Sequence, residues 1–360
     1  MRIPLFKIEW KQEDIDAVAK VIKRGSYWTQ GPEVEEFEDE IAFEVGADYA
    51  VACNSGTSAL CLALLSAGIK KGDEVIVPSF TFISTVNSVR FTGATPIFAD
   101  IEEKTYALDI KDVKKKITKK TKAILLVHYG GCPAYYTKDL KKLADEYNIK
   151  LIEDSAAALG AYTNRKYVGT FGDLGIYSFC QNKPITTGGE GGMIVTDNEK
   201  YYNKLKLLIS HGQQGSDYVD WGYNFRMPSI NAALGLSQFN RLNEIVSKRI
   251  FIASLYNKIK NVKKLKTKFL DFKCVYWIFP IRVKKEDKQP LMDYLAKNKI
   301  ATKAYYTPVH KTTFYSETKV KLPVTEKVYD SLLCLPIYPT LTSKEVYYVV
   351  SKVERYYEEK

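Results

Sequence analysis

The stretch Gly172-Asp-Leu-Gly-Ile-Tyr-Ser-Phe-Cys-Gln-Asn-Lys-Pro-Ile-Thr-Thr-Gly-Gly-Glu-Gly-Gly192 sets one lysine, Lys183, between an apolar run and a glycine-dense turn. Residues 175–179 and 192–196 read as two short strands, which predicts Lys183 on a tight turn beside a sheet. A lysine held on a rigid turn can lose its proton to desolvation and become an amine nucleophile that forms a Schiff base with an aldehyde. A solvent-facing lysine in a hairpin loop has the same local sequence, so the neighbouring motifs decide between the two.

Outward from this turn, residues 50–196 alternate short apolar runs with amphipathic segments. Strands are predicted at 49–53, 74–78, 95–99, 122–127 and 149–153, and helices at 58–67, 83–92, 110–117 and 137–147. This is βαβ spacing, and it predicts an α/β protein with a mostly parallel central sheet flanked by helices. A helical pattern at 229–260 follows, then a strand-like run at 275–283, a helix at 287–298 and a final amphipathic helix at 343–357. These last elements predict a smaller α+β C-terminal domain, with the large domain and its N-terminal arm over 1–245 and the small domain over 246–360.

The net charge is +11, and the lysines come in short clusters such as Lys114-Lys115-Lys116 with Lys119-Lys120, and Lys263-Lys264 with Lys266 and Lys268. No nucleic-acid motif accompanies them, so they read as solvated faces rather than a nucleic-acid surface. The excess charge can still concentrate a phosphate-bearing substrate. No apolar run approaches the roughly 20 residues needed to span a bilayer. The N-terminus lacks the apolar run of an export signal, so a cytoplasmic location is expected. The six cysteines (Cys53, Cys61, Cys132, Cys180, Cys274, Cys334) show no Cys-x-x-Cys pair and are read as buried, reduced thiols. With only three histidines and none paired, no metal site is expected.

Asn54-Ser-Gly-Thr-Ser-Ala-Leu60 follows a predicted strand and opens a helix. The backbone N–H groups from Gly56 to Ser58, with the hydroxyls of Thr57 and Ser58, can hold a doubly charged phosphate at the helix N-terminus. Serine and threonine are equally ordinary helix caps. In Leu151-Ile-Glu-Asp-Ser155, Asp154 falls at the carboxyl end of an apolar strand, where open α/β sheets bind ligands. A carboxylate there can pair with a protonated pyridine nitrogen, or cap a helix beginning at Ala156. Phe82 offers a flat apolar face for a cofactor ring, or simply packs in the core. Ser178 could add a phosphate hydroxyl, and Gly222-Tyr-Asn-Phe-Arg-Met227 places Asn224 and Arg226 in a polar loop.

Phosphate turn, aromatic, strand-end aspartate, serine, lysine and Gly-Glu-Gly-Gly occur here in the order in which successive strands of one sheet would present them to one crevice. In this order the chain resembles the nucleotide-sugar aminotransferases of the DegT/StrS type, which share the aspartate-aminotransferase-like fold type I of pyridoxal 5'-phosphate (PLP) enzymes. The resemblance extends to Gly25-Ser-Tyr-Trp-Thr-Gln-Gly-Pro32 with Phe37-Glu38, to Ala304-Tyr-Tyr-Thr-Pro-Val-His310 and to Leu335-Pro-Ile-Tyr338. It implies that Lys183 carries the cofactor and shuttles protons, that Asp154 pairs with the pyridinium, and that Phe82 stacks on the ring. By the same resemblance, Gly56, Thr57, Ser58 and Ser178 hold the phosphate, with Asn224 contributed by the partner subunit of a homodimer whose active sites are shared. Thr29, Gln30, Arg226, Tyr306 and His310 would contact sugar or diphosphate.

The implied reaction moves an amino group from glutamate to a nucleotide-linked keto sugar, with a 4-keto-6-deoxyhexose expected. A 3-keto substrate and a non-catalytic PLP-binding regulator stay open as alternatives. Lys183 argues against the dehydratases of the family, in which histidine replaces the lysine or an iron–sulfur system is added, and the scattered cysteines argue against the latter. The chain departs from the family at Ala157, three residues past the aspartate, where a polar side chain is usual. A plain dinucleotide-binding fold is excluded because no Gly-x-Gly-x-x-Gly turn follows an early strand.

Overall fold

The computed structural model describes residues 2–267 and 269–360, so Met1 and Lys268 of the basic run lie outside the described residues. Two helices, α1 (Gln12–Arg24) and α2 (Pro32–Val45), precede the sheet. The central sheet then takes seven strands: β1 (Tyr49–Cys53), β2 (Glu74–Pro78), β3 (Thr95–Ala99), β4 (Thr121–Val127), β5 (Lys150–Asp154), β6 (Leu174–Ser178) and β7 (Gly192–Thr196). Their spatial order is β1-β7-β6-β5-β4-β2-β3. Pairings from β6 through to β3 are parallel, while β7 runs antiparallel to both β6 and β1.

Period-two alternation explains why these strands are nearly continuous apolar runs, since both faces are covered. Val75, Val77, Leu125 and Ile152 enter one buried cluster with α3 (Gly56–Ser66) and α4 (Ile83–Phe91). Their neighbours Ile76, Ile124, Leu126 and Leu151 enter the opposite cluster, with α5 (Ile110–Lys116) and α6 (Thr137–Glu146). Within β5 the Glu153 carboxylate is fully buried yet satisfied by His128 Nε2 at 2.8 Å and by the N–H groups of Gly169 at 2.9 Å and Gly172 at 2.6 Å. Because His128 Nδ1 accepts from the Ala134 N–H, its proton sits on Nε2 and is donated to that carboxylate.

After α7 (Glu199–Leu208), the helical pattern at 229–260 proves to be two helices, α8 (Ser229–Phe239) and α9 (Leu242–Tyr256). Arg241 leaves helical geometry at the break (φ −111°, ψ 9°) and its guanidinium grips both Asp14 oxygens at 2.7 Å, fastening α1 to the junction. Apolar residues on either side keep a helical spacing, which hides the break from periodicity. The expected strand at 275–283 is confined to β9 (Phe279–Arg282), which pairs antiparallel with β8 (Lys263–Lys264) and β10 (Leu332–Leu335). With α10 (Lys285–Lys297) and α12 (Ser343–Glu358) this sheet forms a second core, in which Ile3 is also buried. Between them α11 (Pro323–Ser331) leads into β10.

The reading of all six cysteines as reduced is corrected: Cys132 and Cys274, 142 residues apart, form a disulfide. Sequence spacing could not show it, because the pair meets only when the segment after α9 folds back on the β4–α6 connection. Of the four free cysteines, Cys53, Cys61 and Cys334 are buried and Cys180 is half-buried. Among the described residues no helix is long and apolar enough to cross a membrane.

Candidate active site

At the carboxyl ends of β5 and β6 lies a cavity of about 270 Å³ that brings together Gly56, Thr57, Phe82, Asp154, Ser178 and Lys183. Lys183 stands on the turn after β6, closed by the Lys183 N–H to the Cys180 carbonyl (2.9 Å) and by the Gln181 N–H to the Gly189 carbonyl (2.9 Å). The residue is half-buried, and the packing around Nζ pushes its pKa below that of an ordinary lysine. The charges of Asp154, Cys180 and Glu190 oppose that shift.

Asp154 ends β5, but no helix follows it, so the helix-cap alternative falls away. Oδ2 accepts from the Thr85 hydroxyl at 2.8 Å and Oδ1 from the Ala156 N–H at 3.1 Å. Burial pushes its carboxyl above the usual range, against the opposing effects of Thr85, Ala156 and the nearby Lys183. Acid and amine thus shift toward each other, the pattern of an acid–base pair in a dry cleft.

The phosphate corner is divided more finely than expected. Ser55 caps α3, its Oγ accepting from the Ser58 N–H at 3.1 Å, and the Ser58 hydroxyl donates to Asn54 at 2.6 Å, so Ser58 serves the helix cap. Gly56 and Thr57, at the first two helical positions, have no carbonyl within their own helix to receive their N–H groups. A Cβ on Gly56 would stand 2.7 Å from Ser178 Cβ and 2.8 Å from its Oγ. Only glycine lets the helix start close on the end of β6, and that closeness gathers two free N–H groups and the Ser178 hydroxyl into one anion cradle. Phe82, just before α4, is 55% exposed, an unusual degree for a phenylalanine beside a cavity, and it leaves a flat ring for a planar ligand.

The remaining candidates separate. Tyr306 lines the cavity, its ring 5.7 Å from that of Phe82. His310 does not reach it: the ring is buried, with Nδ1 2.6 Å from Ser79 Oγ and Nε2 3.4 Å from Glu326. Gln30 and Arg226 line a different cavity, of about 680 Å³, where Arg226 Nη1 donates to Ser210 Oγ at 2.8 Å. Thr29 and Asn224 are exposed, and neither lines the Lys183 cavity within one chain. Ala157 is buried outside it, and Ala156 takes the lining position.

Several lining residues were missed, Thr85, Trp277 and Lys303 among them. Thr85 lies three residues past Phe82, on the first turn of α4, and that helical spacing was a usable signal. Trp277 and Lys303 gave none, because each stands on an irregular segment brought in from the C-terminal part of the chain.

Residues 9–354 match the DegT/DnrJ/EryC1/StrS aminotransferase family. The chain is 36% identical over 365 residues to GDP-perosamine synthase of Escherichia coli O157:H7, covering 99% of each chain. It is also 33% identical over 350 residues to the UDP-N-acetyl-3-dehydro-alpha-D-glucosamine 3-aminotransferase of Acidithiobacillus ferrooxidans, covering 96% of this chain and 94% of the other. The PLP-form structure of Spr1654 from Streptococcus pneumoniae, 26% identical, superposes with a TM-score of 0.92 over 100% of this chain and 99% of that one. With a family match over nearly its whole length, and with a lysine, an aspartate and an anion cradle facing one cavity, the chain belongs to the DegT/DnrJ/EryC1/StrS aminotransferases and is a PLP-dependent aminotransferase of fold type I.

Proposed function

We propose that the enzyme moves the amino group of glutamate onto the keto carbon of a deoxysugar linked to a nucleoside diphosphate, a 4-keto-6-deoxyhexose, giving a nucleotide-linked amino sugar for glycan or antigen synthesis. The observation that carries the chemistry is Lys183 facing buried Asp154 across a cavity that ends in the Gly56–Ser178 cradle. The residues fit PLP: the cradle suits its phosphate, the exposed Phe82 face its ring, and the Asp154 carboxylate a protonated ring nitrogen. Bound PLP supplies the electron sink that makes loss of a proton from the amino-bearing carbon feasible.

Lys183 Nζ, whose pKa its burial lowers, is the base that takes the proton from the amino-bearing carbon of the donor. In the second half-reaction the same Nζ delivers a proton to the sugar carbon. Asp154 supplies fixed negative charge at the opposite end, held in place by Thr85 and Ala156. Lys303, exposed on the cavity rim, offers a cation to an anionic part of either substrate.

The sugar nucleotide is supported by the two sugar-nucleotide relatives, GDP-perosamine synthase and the 3-aminotransferase. A homodimer accounts for Asn224, Arg226, Thr29 and Gln30 standing outside the Lys183 cavity of their own chain, since a second copy can present them to it. Amination at C3 is the second reading, favoured by the relative that acts on a 3-dehydro sugar.

The test is a panel of nucleotide-linked 3-keto and 4-keto sugars incubated with glutamate and scored by mass for exchange of a carbonyl for an amine. Product from the 4-keto sugars alone is expected. Product from the 3-keto sugars alone moves the reaction to C3, and none from either removes the sugar reading.

A further inference from the structure

Lys183 Nζ lies 4.1 Å from the centroid of the Trp277 ring. The same indole donates its Nε1–H to the carbonyl of Asn182, the residue before the lysine, at 2.7 Å. One side chain therefore touches both the reactive nitrogen and the backbone that aims it, although the two residues stand 94 positions apart in the sequence.

Trp277 is itself held with unusual care for a residue outside regular structure. Arg249, buried in α9, directs Nη1 at the carbonyls of Tyr276 and Trp277, both at 3.3 Å. The Val275 N–H bonds to the Gly131 carbonyl at 2.8 Å, and the Cys132–Cys274 disulfide fastens the start of the segment. Gly131 lies so close that a Cβ there would stand 2.8 Å from the Trp277 nitrogen. Tyr306 stacks on the indole at 6.1 Å with 20° between the ring planes, so the ring plane is fixed as well.

We propose that Trp277 is a positioning residue for Lys183: its N–H fixes the turn that carries the lysine, and its ring face holds Nζ whenever the amine is free. A cation is attracted to an indole face more strongly than to a phenyl ring, and most strongly where water is excluded. The face therefore favours the protonated lysine, in the same direction as the charges of Asp154, Cys180 and Glu190 and against the desolvation of the site. The other titratable or charged groups on the walls are Tyr305, Tyr306 and Lys303, with Arg249 behind the indole. The inference rests on the aminotransferase chemistry and is independent of which sugar is used.

The experiment measures acetylation of Lys183 in cofactor-free protein as a function of pH, read by mass on the peptide that contains it, in wild type, Trp277→Leu and Trp277→Phe. Leucine keeps the wall apolar but removes the face, so the midpoint should move down by roughly half to one pH unit. Phenylalanine keeps a weaker face and should give a smaller downward shift. Loss of the N–H to Asn182 should also lower kcat per bound PLP in Trp277→Phe about tenfold, with KM for the amino donor within about twofold. Midpoints equal to or above wild type in both variants overturn the proposal. If Trp277→Leu does not fold, the Trp277→Phe midpoint decides alone, a downward shift supporting the proposal and no shift overturning it. Because the labelling uses neither donor nor sugar, its failure leaves the substrate reading untouched, and a wrong sugar leaves the labelling result untouched.

Discussion

The cavity has two unlike walls. One is made by the ends of regular elements: the first turn of α3, the last residues of β5 and β6, and the turn after β6, all within residues 54–192. The other is made by Trp277, Lys303, Tyr305 and Tyr306, which stand on irregular segments beyond residue 270. The first wall holds the groups to which the proposed reaction assigns charge binding and proton transfer, and its geometry follows from the sheet. The second is a cluster of aromatic faces, held by Arg249, by a disulfide and by backbone bonds to Gly130 and Gly131. Chemistry is thus fixed on the rigid wall, and the fit around it is set by the wall that depends on long-range packing.

The contrast breaks most visibly at Lys183. Lys183→Ala should lower amine exchange by at least about 10³-fold and abolish the visible band that wild-type protein gives with PLP. A variant that keeps the band and turns over would empty the first wall of its role.

Asp154→Asn should lower kcat about 100-fold. It should also move the Lys183 labelling midpoint further down, because the carboxylate's charge raises that pKa and the amide has none. A midpoint that rises would mean the two groups are not coupled across the cavity.

Gly56→Ala sharpens the account of the cradle. Its methyl would meet Ser178 Cβ at 2.7 Å, between two backbone elements that cannot both yield. PLP affinity, measured by spectroscopic titration, should fall by roughly 10- to 100-fold, corresponding to a strain of about 1–3 kcal/mol. Wild-type affinity in this variant would show that the cradle is open enough not to need glycine.

The smallest effect is expected at His310, which belongs to neither wall. His310→Gln should leave kcat within about threefold while lowering stability by about 1 kcal/mol in denaturant unfolding, since Ser79 loses its partner. A 100-fold loss of kcat with unchanged stability would return His310 to the substrate contacts.

Much of the first wall was legible because its residues are placed by local rules. A strand that alternates between two buried faces, followed by a glycine turn and a capped helix start, can be recognised within a dozen residues. β1, β2, β3 and β7 accordingly fall where the periodicity puts them. Lys183, Asp154, Ser178, Gly56, Thr57 and Phe82 follow as residues at the ends of such elements. Ser58 was legible as a residue of the same turn but not in its role, because capping and ligand binding draw on the same hydroxyl and N–H groups. The division of α8 from α9 escaped because the Asp14 carboxylate that holds Arg241 lies 227 residues away in the chain.

By itself the sequence determined where most strands of the sheet lie, the turn that bears Lys183 and the chain order of the groups that face the cavity, because each depends on patterns among residues near one another in the chain. Only the tertiary structure decided that Trp277 covers Lys183, that His310 is turned into the interior and that Cys132 meets Cys274. Those outcomes depend on where distant segments settle against the sheet, and no local spacing or periodicity encodes the position of a partner 94 to 231 residues away.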